Sequence, residues 1–240
     1  MSNIQSFQSV AKKEELIYED LIILGDIYED SIVDSNKLTV GGKTFKGSTQ
    51  FSKYATINIH QGNLRCHEAK IALLDCGEIH ATTVDIGTVS SGLVRAQDIT
   101  IEHLKGDSSI YASSSIRIGK ISGENNKLFI NYKEVPILTS KITLIEDDIE
   151  ELTIALGKVQ ENYSSLESEI ASEITRLNEE IRNIQNSTKN AKITIKEEVK
   201  TKNTISFVID DANTLTFETK QATYAPFYLS FSENTITLNS

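Results

Sequence analysis

The chain has 240 residues, 39% of them apolar, with 34 Asp and Glu against 24 Lys and Arg and a net charge of −10. This composition supports a packed core and a globular chain, not a disordered one, and its acidic balance with scattered basic residues argues against general electrostatic binding of nucleic acid or an anionic membrane. Two cysteines, a start (MSNIQSFQSVAKKEE) without an apolar h-region and no apolar run near ~18 residues predict a cytoplasmic protein with no signal peptide and no transmembrane segment.

Residues 1–14 are polar and mixed in charge and read as a flexible N-terminal arm. From residue 15 a short-period grammar begins, and it is expected to run as a β-helix over 15–134. Leu16, Tyr18, Leu21, Ile23 and Ile27 state it roughly, and Val33, Ser35, Leu38 and Val40 repeat it before a Gly41-Gly42 turn, where positive φ is cheap. Residues 47–59 are ambiguous. Thr49, Phe51, Tyr54, Thr56 and Ile59 keep a 15-residue step, yet Ile57 and Ile59 make a better inward pair, so a local insertion or a register break is expected there.

The grammar is clearest from Gly62 to Ile121. Units starting at Gly62, Gly77, Gly92 and Ser108 carry apolar residues in five columns: Leu64, Cys66, Ala69, Ile71, Leu74; Ile79, Ala81, Val84, Ile86, Val89; Val94, Ala96, Ile99, Ile101, Leu104; and Ile110, Ala112, Ile116, Ile118, Ile121. Inward pairs spaced by two are strand spacing, and a helix would need three and four. A unit this short cannot bury its own apolar edge, so like must stack on like. The prediction is a mainly β fold, a single-stranded right-handed β-helix (β-solenoid) with rungs of about 15 residues. Leu128 and Ile130 offer one more pair after the turn in SGENN.

Beyond Pro136 the period changes. Leu138, Ile142, Ile145, Ile149, Leu152, Leu156, Val159, Tyr163, Leu166, Ile170, Ile174, Leu177, Ile181 and Ile184 follow steps of four and three, with one stutter between Ile170 and Ile174. This predicts an inserted α-helical coiled coil over 137–187. A single rod would extend ~70 Å and need another chain to cover its seam. A hairpin turning within Gly157–Ser165 would return the chain to its starting point, and the alternation resuming at Ala191-Lys-Ile-Thr-Ile195 favours that form. Residues 190–240 alternate in period two, at Ile205, Phe207 and Ile209, Leu215 and Phe217, Phe227, Leu229 and Phe231, and Ile236 and Leu238. They are expected to form a C-terminal β segment packed on the β-helix.

No residue is assigned a catalytic, cofactor-binding or metal-ligating role. Cys66, His67, Cys76 and His80 form the most tempting cluster, but Cys66 stands in the column of Ala81, Ala96 and Ala112 and reads as small core, while His67 and His80 should point outward. Asp26, Asp30 and Asp34 lack a calcium-loop pattern, and the acidic run Glu146, Asp147, Asp148, Glu150 and Glu151 fills non-seam helix positions. His60, His67, His80 and His103 show no neighbouring acid placed to orient a general base, and phosphate-loop, G-x-S-x-G and HExxH motifs are missing. The chain is therefore expected to be no enzyme, to need no cofactor, and to show no small-molecule substrate.

GEIHATTVDI, GLVRAQDITI and SSIYASSSIRIGKISGENNKLFI, then the heptads, AKITIKEEVKTKNTISFVI and FYLSFSENTITL, together resemble the bacterial flagellar assembly protein A family over roughly residues 16–240. The repeats alone are similar to the bactofilins, polymer-forming β-helix proteins without a long coiled coil. The first resemblance implies a cytoplasmic, non-enzymatic protein connected with flagellar assembly or placement, here without room for the N-terminal domain of longer members. The function expected is a structural scaffold with protein partners, self-association, or both. The alternative is a trimeric phage- or surface-fibre module with a carbohydrate-binding β tip. Hairpin re-entry after Asn190 would favour the scaffold, and a continuous rod the fibre.

Overall fold

Side chains spaced by two, three and two return to one interior because the backbone runs as short parallel strands joined at bends, each turn lying on the one before. The computed structural model of the chain describes residues 4–158, 164–210, 212–224, 227–232 and 235–239. Eight strands build a β-solenoid of about seven turns: β1 (Ile4–Phe7), β2 (Glu15–Ile23), β3 (Ile32–Thr44), β4 (Thr49–His60), β5 (Asn63–His80), β6 (Thr83–Leu104), β7 (Ser108–Ile121) and β8 (Lys127–Ile130). Each pairs in parallel with the next.

The five columns predicted from Gly62 to Ile121 point inward. Of their twenty residues all but Cys66 are buried, and Cys66 is half-buried against the same core. Burying an Ile or Leu side chain contributes roughly 1.5–3 kcal/mol, so the columns supply the main drive to stack. The first residue of each unit fills a sixth, small column on the inner side of a bend. Gly62 shows why: a Cβ there would lie 2.6 Å from Ser48 Oγ and 2.7 Å from Ser48 O of the preceding turn.

The step is less regular than 15. Val40 lies on Ile57 (17 residues), Ile57 on Ile71 (14), Ile71 on Ile86 (15), Val94 on Ile110 (16) and Ile110 on Leu128 (18). The short step settles residues 47–59: the inward set is Gln50, Ser52, Ala55, Ile57 and His60, while Phe51 and Tyr54 are exposed and Ile59 is half-buried. Gly41 and Gly42 are not a positive-φ turn. They lie inside β3, at negative φ, where a Cβ on Gly41 would meet Leu24 O at 2.6 Å.

Residues 4–14 depart from the expected arm. Ile4–Phe7 pairs with Asp20–Ile23, and Val10 is fully buried on Ile27. Phe7 and Val10 supply an apolar floor beneath Ile23 and Ile27, a role that two isolated apolar residues in a polar stretch do not announce.

The heptad segment folds as two helices, α1 (Pro136–Leu156) and α2 (Ser164–Gln185). An extended coiled coil is not what they make. Ile145, Leu177 and Ile181 form a small buried cluster flanked by Ile142, Ile149 and Leu152. Lys141, early in α1, meets Glu180, late in α2, at 2.7 Å, so the helices run antiparallel. Farther out the heptad residue Leu156 is only half-buried and Leu166 is exposed, so the seam opens. Val159 and Tyr163 of the heptads, and most of the expected turn, lie outside the described residues.

The solenoid then resumes where it stopped. β9 (Lys192–Ile195) lies parallel on β7, with Ile193 on Ile116 and Ile195 on Ile118; β10 (Glu198–Val199) sets Val199 on Ile121; β11 (Thr204–Val208) lies on β8, with Ile205 on Leu128 and Phe207 on Ile130. A buried amide pair fastens this return: Asn203 Oδ1 accepts from Asn126 Nδ2 (2.9 Å) and Asn126 N (3.0 Å), and Asn203 Nδ2 donates to the carbonyls of Gly123, Lys200 and Thr201. Antiparallel strands close the far end. β12 (Thr214–Glu218) pairs with β11, β13 (Thr223–Tyr224) with β10, and β14 (Phe227–Ser232) with both β9 and β15 (Thr235–Asn239).

Candidate functional site

The most structured part of the outer surface is the flank from which the helices leave. Strand alternation places Arg65, His80, Arg95, Tyr111 and Phe129 on the outer side of successive turns, between the inward residues of the first two columns. Tyr111 and Phe129 stack with centroids 5.0 Å apart, and the Arg95 guanidinium lies 5.4 Å from the Tyr111 ring centroid. Glu78 Oε1 accepts from Arg95 Nη1 (2.7 Å) and lies 2.6 Å from His80 Nε2, while Arg95 Nε reaches Glu134 at 3.5 Å. Burial by itself would raise the Glu78 carboxyl, but hydrogen bonds and charge from His80 and Arg95 outweigh it and hold the group below the usual carboxylate range.

α1 sets the other wall. Asn131 caps a 3-10 turn at Tyr132–Glu134, buried Val135 follows, and Pro136 opens the helix at a position where a missing N–H costs nothing. From there α1 runs back along the solenoid flank. Between them is a groove of about 710 Å³, within the range of small-molecule sites, lined by Arg65–His67, His80–Thr82 and Gln97 on one side and by Pro136–Leu138, Ser140, Lys141 and Leu144 on the other. A hollow of about 240 Å³ adjoins it and shares Arg65 and His80.

Cys66, His67 and His80 of the sequence cluster thus share the groove, and Cys76 does not. It sits at a bend with φ 63°, its Sγ 2.9 Å from Ser91 Oγ. Burial and then the Glu68 charge push the Cys66 thiol up to about 12, so it is no thiolate at neutral pH. Among the described residues no three His, Cys, Asp or Glu side chains converge as metal ligands. Asp26 accepts from Lys43 N (2.7 Å), Asp30 pairs with Lys12 (3.6 Å), Asp34 is exposed, and the acidic run of α1 faces outward.

The histidine expectation needs correction at His80. Glu78 stands beside it because residues two apart on a strand share a face, a signal present in Glu78-Ile79-His80 and overlooked. Glu78 bridges His80 and Arg95 and so ties two successive turns of the flank together. His103 Nε2 is 2.5 Å from Ser122 Oγ; desolvation, then Lys120 and Lys105, depress its pKa. His60 is fully buried, with Nδ1 2.7 Å from Thr44 Oγ1 and Nε2 3.1 Å from Glu78 O, and desolvation lowers its pKa to about 4. No described helix is long and apolar enough to cross a membrane. No family model, curated protein or solved structure matches the chain.

Proposed function

We propose that the chain is a non-enzymatic bacterial scaffold of the cytoplasm, connected with flagellar assembly or placement, that works by offering surfaces to protein partners and to further copies of itself. The observation that carries this reading is the inequality of the two ends. At the C-terminal end β12, β14 and β15 turn antiparallel and break the stacking pattern, whereas β1 begins the stack, and among the described residues only β2 pairs with it. An unpaired strand edge is a template for another chain, and Ile4, Ile17, Tyr18, Leu24, Tyr28 and Ile32 are all exposed near that end. Right-handed winding accompanies this reading, since parallel crossovers favour that hand. The helix pair, inserted within one turn and laid back along the flank, gives a partner a separate handle. The flagellar connection rests on the resemblance of the repeats and of the two junctions, NKLFI and AKITI.

Light scattering on the full chain tests the scaffold. A dimer or an end-to-end polymer is expected, and Ser6→Pro, which removes a donor on the side of β1 away from β2, should return it to monomer. A monodisperse elongated trimer unaffected by that substitution would instead mark a fibre module. Imaging a tagged copy tests the flagellar connection, with polar foci expected and uniform fluorescence counting against it.

A further inference from the structure

The groove between α1 and the solenoid has a charge pattern that stacking does not require. The protein carries ten more acidic than basic residues, yet no carboxylate lines the groove. Its polar lining includes Arg65, Lys141, His67 and His80, and its apolar lining includes Ile137, Leu138 and Leu144. Arg65 is exposed and, among the described residues, its guanidinium has no hydrogen-bond or ion-pair partner, whereas Arg95 on the same flank is held by Glu78. Lys141 spends one donor on Glu180 and an ammonium has three. The first turn of α1 borders the same space, and Val135 before it gives no side-chain cap, so the positive end of the helix dipole is left unneutralised. On the apolar wall Leu144, one helical turn on from Lys141, remains 65% exposed.

We infer that this groove binds a small amphipathic anion, with its carboxylate or phosphate head on Arg65 and Lys141 and its apolar body along Ile137, Leu138 and Leu144. An isolated guanidinium suits either head because its fork of N–H donors matches two oxygens of one anion. The apolar body selects against free inorganic anions, and cationic amphiphiles are disfavoured because the nearest carboxylates, Glu180 and Glu78, stand behind Lys141 and His80 and outside the lining. The solenoid wall is rigid and the helical wall belongs to the insertion, so an occupant would hold the helix pair against the flank.

The test is isothermal titration of the full chain with decanoate, decyl phosphate, decanol and decyltrimethylammonium, each below its micelle-forming concentration. Saturable binding of decanoate or decyl phosphate, at least tenfold tighter than the other two, is expected; the preferred member of the anionic pair identifies the head group. Decanol binding as tightly as the anions, or no saturable binding of either anion, would overturn the assignment. Arg65→Glu, at an exposed position, should weaken the preferred anion at least tenfold with unchanged circular dichroism. Lys141→Glu provides the same reading from the other wall, so a folding defect in one variant leaves the other decisive. Unchanged affinity in both would remove the head-group site.

Discussion

Two stretches of the solenoid share a backbone and differ inside. From Ile79 to Ile121 every inward position of the five columns is Ile, Leu, Val or Ala. From Val33 to His60, five of ten are polar: Ser35, Thr44, Gln50, Ser52 and His60. The polar turns still stack, because Leu38, Val40, Ala55 and Ile57 keep the third and fourth columns apolar and continuous. The rest must satisfy one another. His60 meets Thr44, and Gln50 Nε2 donates to Ser48 Oγ at 2.9 Å, but Gln50 Oε1 and Ser35 Oγ are buried without partners among the described residues. Two continuous columns suffice for the fold, then, and the other three set how stable and how pH-sensitive a given turn is.

The largest way to separate the stretches is a buried charge. Ile101→Asp, in the aliphatic turns, should cost at least ~4 kcal/mol, because nothing nearby can pair with a carboxylate. Ser52→Asp gives up the hydroxyl's donation to Asn36 O and Tyr54 O, but the site is only half-buried and its carboxylate can turn to solvent, so the cost should be ~2 kcal/mol or less. Urea unfolding followed by far-ultraviolet circular dichroism compares the two, and equal losses would mean that the inward register of one stretch is misassigned.

Next is acid. The folded-state pKa of His60 lies near 4 and its ordinary value is 6.5, so between those limits the unfolded chain binds the extra proton. Stability supplied by neutral His60 is thus complete above pH 6.5 and is lost as pH falls towards 4, by about 3 kcal/mol in all. His60→Leu should abolish that component of the pH dependence between pH 7.5 and 4, while Val89→Leu, in the same column of the aliphatic stretch, should leave it intact.

A smaller effect is expected outside the solenoid. Ile145→Ala in the helical cluster should cost ~2 kcal/mol, and hydrogen exchange should show it as faster opening of α1 and α2 with β5–β7 unchanged. The smallest concerns Gln50→Leu, which removes a buried carbonyl without a partner and extends the column of Leu64. Stability should stay level or rise by up to ~1 kcal/mol, and a loss above that would show that the amide has a partner in solution.

Much of this contrast was legible in advance. Ile, Val and Ala columns name themselves because stacked turns demand like on like, and the resumption at AKITI was visible because alternation returned after the heptads. The turn left ambiguous was the polar one. Phe51 and Tyr54 look like core by residue type, yet the step shortens to 14 and leaves them outside, where side chains of any type are tolerated. The first turn escaped notice because Phe7 and Val10 complete a floor that only the turn above defines. The extent of the coiled coil was overread, since heptad spacing fixes which helix face is apolar and not how far two helices stay in contact. Glu78 beside His80 could have been found from strand alternation. The groove could not, because it depends on the direction in which α1 leaves β8, which no local pattern encodes.

The insertion also orders folding in time. Through Ile121, each inward pairing joins residues 14 to 18 apart, so a turn can settle on the last as soon as it leaves the ribosome. The next closure waits: Ile116 needs Ile193, and Leu128 needs Ile205, both 77 residues away. At roughly 5–20 residues per second, residues 131–191 take on the order of 3–12 s to synthesise. For that interval a nearly finished solenoid presents β7 and β8 as a bare growing edge, and early formation of the α1–α2 pair shortens the chain that must be brought back to cover it.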